Sequence, residues 1–193
     1  MIPGAMREHY QGMRSVLEKS RPIDENGAGI DARLSRGIIV LARVGLAFLW
    51  IQNVSWKSPS DNFGKNRGTG LYGYTMDAVT HPVFGPYASF VKHVVLPNFT
   101  FFAWMTLLVE AALGAFLLVG LATRFFALVG VVQSVAIMLS VLNLPGEWHW
   151  SYYLMIIGHL FLFATAAGRT GGLDGLLRPR WLASGRPLMR LAS

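Results

Sequence analysis

Apolar residues run almost uninterrupted through four stretches of the chain, each bounded by charge, proline or glycine. The first is Gly37 to Trp56, closed by Lys57, and the second is Phe99 to Gly120. The third, Phe125 to Leu144, stops at Pro145. The fourth, His149 to Gly168, opens on the aromatic belt Trp148, Trp150, Tyr152 and Tyr153. A helix crossing a bilayer needs about 20 mostly apolar residues, and Trp and Tyr collect where such a helix meets the headgroups. The pattern therefore predicts an all-α integral membrane protein, a four-helix bundle over residues 37–168.

The polar stretches carry their own pattern. In residues 57–98, Phe63, Tyr72, Tyr74, Phe84, Tyr87 and Phe90 would form an apolar patch if left in water. Tyr87, Phe90, Val91 and Val94 follow Gly85-Pro86 at helical spacing, which predicts a short amphipathic helix from Pro86 to Val95. This loop between the first two spans is expected to fold as an extracytoplasmic cap. In the N-terminal tail, residues 1–36, Met6, Tyr10, Met13 and Leu17 share one helical face before Pro22. A surface helix and a frayed tail both suit that segment, and Ile23 to Arg36 reads as linker. Residues 169–193 place Trp181 and several Leu among five arginines, as expected of an inner-leaflet surface segment.

Charge sets the orientation. Twelve Lys and Arg lie in the two tails and the turn between spans two and three, against four between spans one and two. Cytoplasmic segments collect Lys and Arg, so both termini are expected in the cytoplasm and the chain in the inner (plasma) membrane. The net charge of +7 flanks apolar runs and does not mark a soluble face, which favours anionic lipid over nucleic acid as partner. With 53% hydrophobic and 14% charged residues, the composition departs from that of soluble domains, where about 25% of residues are charged. The absence of cysteine excludes thiolate metal ligation, disulfide relays and cysteine-held iron–sulfur clusters within the chain.

Each span places one polar side chain deep inside: Arg43, Glu110, Gln133 and His159. At about 1.5 Å per residue they lie at nearly one depth, about 10–15 Å from the cytoplasmic ends. A mid-membrane charge opposes insertion by about 2.5–3.5 kcal/mol on translocon scales. Glu110 is therefore expected to pair with Arg43, with Gln133 and His159 completing its hydrogen bonds. Two readings stay open: a structural lock, or the lining of a pocket where a lipophilic quinone exchanges hydrogen bonds and protons. A second polar set, Gln52, Asn53, Trp56, Lys57, Asn143, Glu147, His149 and Trp150, is placed near the outer mouth, where Trp56, Lys57, His149 and Trp150 would shape an entrance for an anionic headgroup or an oxyanion substrate. Glu147, His149 and a cap histidine, His81 or His93, match no metal-ligand spacing, so no metal is expected. Haem is not expected either, because His159 is the only histidine deep in a span. The glycine-rich KNRGTGLYG lacks the strand–helix frame of a nucleotide loop. Small residues four apart (Ala111 and Ala115, Gly130 and Ser134, Ala136 and Ser140) would let helices approach closely.

Three stretches carry a family resemblance. They are ARVGLAFLW with Trp56-Lys57 beyond it, Glu110-AALGAFLLVGLAT-Arg124, and AGRTGGLDGLL with Arg169 and Asp174. In order and spacing the chain, over about Leu34 to Leu177, resembles the DoxX/DoxD group of small four-span membrane proteins, and its long outer loop looks more like the DoxD branch. DoxD is the small subunit of thiosulfate:quinone oxidoreductase. The resemblance implies a membrane subunit linked to quinone-dependent oxidation of a sulfur compound such as thiosulfate, working beside other subunits, and it carries over no catalytic residue. Non-catalytic assembly subunit and small lipid or solute carrier are the alternatives.

Overall fold

The structure, a computed structural model, describes residues 25–185 and 187–193, the side chains of 25–28, 188 and 190 apart. The amphipathic face from Met6 to Leu17 lies outside the described residues. Eight α-helices are described: α1 Glu25–Ser55, α2 Gly70–Thr80, α3 Gly85–Phe90, α4 Phe99–Val119, α5 Thr123–Val141, α6 His149–Thr165, α7 Leu173–Ala183 and α8 Pro187–Ala192. No strand occurs among the described residues.

The chain divides into two units, residues 1–37 and 38–193. In the first, the backbone is already helical from Glu25, which corrects the linker expected over Ile23 to Arg36. No proline follows Pro22 before Pro59, and each glycine in this stretch costs helix only about 1 kcal/mol relative to alanine. The packed core and the cavity belong to the second unit.

Among the described residues, three helices are long and apolar enough to cross a membrane: Gly29–Ser55 of α1, Phe99–Val119 and Thr123–Val141. The expected fourth crossing is a helix of 17 residues, because the chain leaves α6 at Thr165 through Ala166, in the left-handed region, into a 3-10 turn at Ala167–Arg169. Helices α5 and α6 pack on each other extensively. One core joins Ala47 and Trp50 to Leu113, Leu117, Ala127 and Leu162. A second, of Phe63, Phe99 and Ala103, holds the loop of residues 57–98 against the start of α4. The outward faces are apolar as well, with Leu41, Phe101, Leu108, Val132 and Ile157 exposed. A helix that is apolar all round belongs in lipid or in the core of a larger body.

Between residues 57 and 98 the chain forms a 3-10 turn at Pro59–Gly64, then α2, α3 and a wide turn at Val91–Val95. Of the face expected there, Tyr87 and Val91 point inward while Phe90 and Val94 are exposed. The Tyr87 hydroxyl reaches the Ala136 carbonyl at 3.2 Å and Ser140 Oγ at 3.0 Å, and Asn143 donates to the Pro82 carbonyl at 2.9 Å. These bonds fasten the loop to α5 and to the residues just after it.

At the opposite end, α4 turns into α5 through Gly120 (φ 70°) and Ala122 (φ 49°). A Cβ at Gly120 would stand 2.7 Å from Arg43 Nη1 and 2.8 Å from Gly172 Cα, so only glycine fits. Ala122 is strained, and Asp174 holds it there. Its carboxylate accepts the Ala122 and Thr123 backbone N–H groups at 2.7 and 2.8 Å, capping α5, and its own N–H donates to the Gly120 carbonyl at 2.8 Å. Removing this fully buried cap forfeits two charge-assisted hydrogen bonds at a helix N-terminus. We expect Asp174→Ala to lower unfolding stability in detergent by about 2–3 kcal/mol. Asp61→Ala, which breaks only the solvent-facing Arg67–Asp61 pair, should change it by less than about 1 kcal/mol. Equal effects would contradict the capping role.

Candidate functional site

Glu110 sits midway along α4 and is 1% exposed. Its partner is Lys57, not Arg43. The Lys57 ammonium lies 2.5 Å from Glu110 Oε2 and also donates to the Asn53 carbonyl at 2.8 Å. Gln133, on α5, donates to Glu110 Oε1 at 3.0 Å, as its depth predicts. Both carboxylate oxygens are thus occupied, and the Trp56 ring covers the ammonium at 4.3 Å. Lys57 lies beyond the span that ends at Ser55. Burial pulls its pKa below the ordinary lysine value, and the charge and hydrogen bond of Glu110 push it back up.

Arg43 answers a different demand. Its Nη1 donates to the Leu117 and Leu118 carbonyls at 2.6 and 2.8 Å, and its Nη2 to the Gly171 carbonyl at 3.0 Å. It closes the C-terminus of α4, where free carbonyls and the helix dipole favour a cation. Helical side chains lean toward their own N-terminus, and the stretch of α1 around Arg43 meets the C-terminal end of α4. Leu117 is seven residues past Glu110, about 10 Å further along the helix, so the leaning guanidinium moves away from the carboxylate. Lys57, just past the end of α1, turns back onto the Asn53 carbonyl and Glu110. Depth along the helix was legible in the sequence; direction of lean was the missing signal.

His159 also leaves the expected layer. Trp50 Nε1 donates to His159 Nε2 at 2.9 Å, and His159 Nδ1 meets the Met155 carbonyl at 2.7 Å. Since the indole can only donate, Nε2 accepts and Nδ1 carries the hydrogen, which makes the ring a neutral, fully partnered core group. Gly130 makes room for it: a Cβ there would stand 2.1 Å from the imidazole. The four polar residues expected at one depth are all interior but form three separate groups.

Above Glu110 opens a cavity of about 680 Å³. Lys57, Glu110 and Gln133 supply its polar end, Phe90, Phe99, Phe102 and Ile137 are among its apolar walls, and Glu147 and Tyr152, hydrogen-bonded to each other, stand at another side. Small-molecule sites have this character: about 300–1,000 Å³, apolar walls and a few placed polar groups. Of the expected outer-mouth set, Gln52, Asn53, Trp56, Lys57 and Glu147 line the cavity. His149 and Trp150 do not, both being exposed, Trp150 by 67%. Tyr152 takes the inward position in that turn of α6 and was missed from the sequence as a lining residue. His81 and His93 are exposed, and no group of three or more His, Cys, Asp or Glu gathers among the described residues.

Residues 39–189 match the profile of a protein family described as TQO small subunit DoxD. No curated protein and no solved structure matches the chain.

The Trp50–His159 pair is testable by a single deletion of the donor. Trp50→Phe keeps the ring but leaves His159 Nε2 buried without a partner, and should cost about 1–3 kcal/mol in reversible unfolding from mixed micelles. A loss no larger than that of Trp56→Phe would contradict the assignment.

Proposed function

The chain belongs to the DoxD family, and from that premise we propose that it is the membrane subunit of a quinone-linked oxidoreductase whose cavity takes the quinone head. As a multi-pass protein it would sit in the inner membrane with four crossings and both termini cytoplasmic. The length of α6, 17 residues or about 25 Å, is close to that of its neighbour α5, 19 residues or about 28 Å. Helices of matched length packed side by side lie at one depth, which supports a fourth crossing. The segment of residues 57–98 then covers the bundle on the extracytoplasmic side.

The observation that carries the reading is the cavity itself, apolar-walled and closed at one end by Lys57, Glu110 and Gln133. Its lining charges are one cation, Lys57, and two carboxylates, Glu110 and Glu147. Lys57 already serves Glu110, Asn53 and the Trp56 ring, so it offers no free charge to an anion. This disfavours an oxyanion such as thiosulfate and suits a neutral, ring-shaped ligand with hydrogen-bonding oxygens. The second N–H of the Gln133 amide and the Gln52 side chain are the donors that would meet such oxygens. A quinone bound there would supply the electron acceptor, and the sulfur compound would be oxidised by a partner subunit, since this chain has no cysteine. The second reading, a non-catalytic assembly subunit, draws on the fact that both oxygens of Glu110 are already partnered.

Purification in mild detergent followed by mass spectrometry of the bound lipid fraction tests the reading. Near-stoichiometric quinone is expected in the wild-type chain. Thr106→Phe, which puts an aromatic ring into the cavity without touching its charges, should reduce retained quinone about tenfold or more, equivalent to about 1.4 kcal/mol of lost affinity. Quinone absent from the wild type, or unchanged in the variant, would overturn it.

A further inference from the structure

At the end of the bundle opposite the cavity, three arginines converge on the junction of α5, α6 and α7. Arg124, in the first turn of α5, donates through Nε to the Phe163 carbonyl at 3.1 Å and lies over the Phe163 ring at 5.1 Å. Arg169, in the 3-10 turn after α6, donates through Nη2 to the Ser193 carbonyl at 2.8 Å. Arg178 stands on α7 one turn beyond Gly175, and a Cβ at Gly175 would lie 2.5 Å from the Arg169 carbonyl oxygen. That contact packs α7 against the turn that carries Arg169.

These donors exceed their acceptors. Arg169 Nε and Arg178 Nη1 are buried and find no hydrogen-bond partner among the described residues. Buried donors in native proteins are almost always satisfied, so an unpaired one calls for an explanation. Burial and the like charges of Arg178 and Arg124 all oppose the Arg169 cation, and Asp174 alone supports it. Asp174 is itself committed to the Ala122 and Thr123 N–H groups. Positive charge and unmet N–H groups thus accumulate at one point, beside exposed apolar side chains on α7: Leu173 and Leu176, the latter 73% exposed. The point lies at the ends of α5 and α6, the level at which headgroups meet a crossing helix.

We propose that Arg124, Arg169 and Arg178 form a binding site for a phosphate group, supplied by an anionic phospholipid whose chains lie along the apolar faces of the bundle. Guanidinium forks match phosphate oxygens bidentately, and the unpartnered Nε and Nη1 atoms provide donors that water-exposed arginines would already have spent. The site is separate from the cavity and does not depend on a quinone binding there.

Native mass spectrometry of the full chain, exchanged between micelles doped with phosphatidylglycerol and with phosphatidylcholine, tests the proposal. Selective retention of phosphatidylglycerol is expected. Arg178→Gln and Arg124→Gln should each weaken it about fivefold, and Arg180→Gln, whose side chain is exposed on the same helix, by much less. Arg178→Lys, which keeps the charge, should restore part of the loss and so separates lipid binding from misfolding. Displacement by millimolar inorganic phosphate would keep the phosphate site but overturn the lipid as its source. Equal retention of the two lipids, or no change in Arg178→Gln and Arg124→Gln, would overturn the site.

Discussion

Burying one carboxylate in the middle of a membrane-crossing helix constrains everything around it. Glu110 cannot face hydrocarbon at acceptable cost, so the chain must bring a cation and a neutral donor to the same level. It does so with Lys57, folded back from the residues just after α1, and with Gln133 from α5. Three separate segments are thereby fixed to one point, and the loop of residues 57–98 begins at that point. The cavity exists because this polar end is held rigidly while the aromatic residues of the loop and of α4 wall it in.

The far end of the bundle solves a complementary problem. Where α4 ends, its free carbonyls are met by Arg43; where α5 begins, its free N–H groups are met by Asp174. Both are buried, and both reach a tight turn that only Gly120 and a strained Ala122 can make. This gives the family-like stretches of sequence a physical content. The glycine, threonine and arginine of Glu110-AALGAFLLVGLAT-Arg124 build the turn, and the glycines and aspartate of AGRTGGLDGLL close over it. A Cβ at Gly168, for instance, would strike Thr123 Oγ1 and Asp174 Oδ2 at 2.0 and 2.3 Å.

Much of this was legible in the sequence, and what was not has a definite cause. Apolar run length located α1, α4 and α5, and it placed Glu110 and Gln133 at one depth. It failed for Arg43 and His159 because depth says nothing about which way a side chain leans or which face of the helix it leaves from. Lys57 read as an interface residue because it follows the last apolar turn, although its long side chain returns four residues to reach the Asn53 carbonyl. Tyr152 was hidden for a similar reason: in an aromatic belt, Trp148, Trp150, Tyr152 and Tyr153 look equivalent until packing turns one of them inward. The helical start at Glu25 was masked by glycines that are weak, not absolute, breakers.

The central claim, that Lys57 and not Arg43 neutralises Glu110, is tested most directly by two double-mutant cycles on reversible unfolding, Lys57→Met with Glu110→Gln and Arg43→Met with Glu110→Gln. The account predicts that the first pair is coupled by about 3 kcal/mol, because either single change strands a buried charge and the double change strands none. The second pair should be additive within about 0.5 kcal/mol. Additivity in the Lys57 cycle, or strong coupling in the Arg43 cycle, would contradict it.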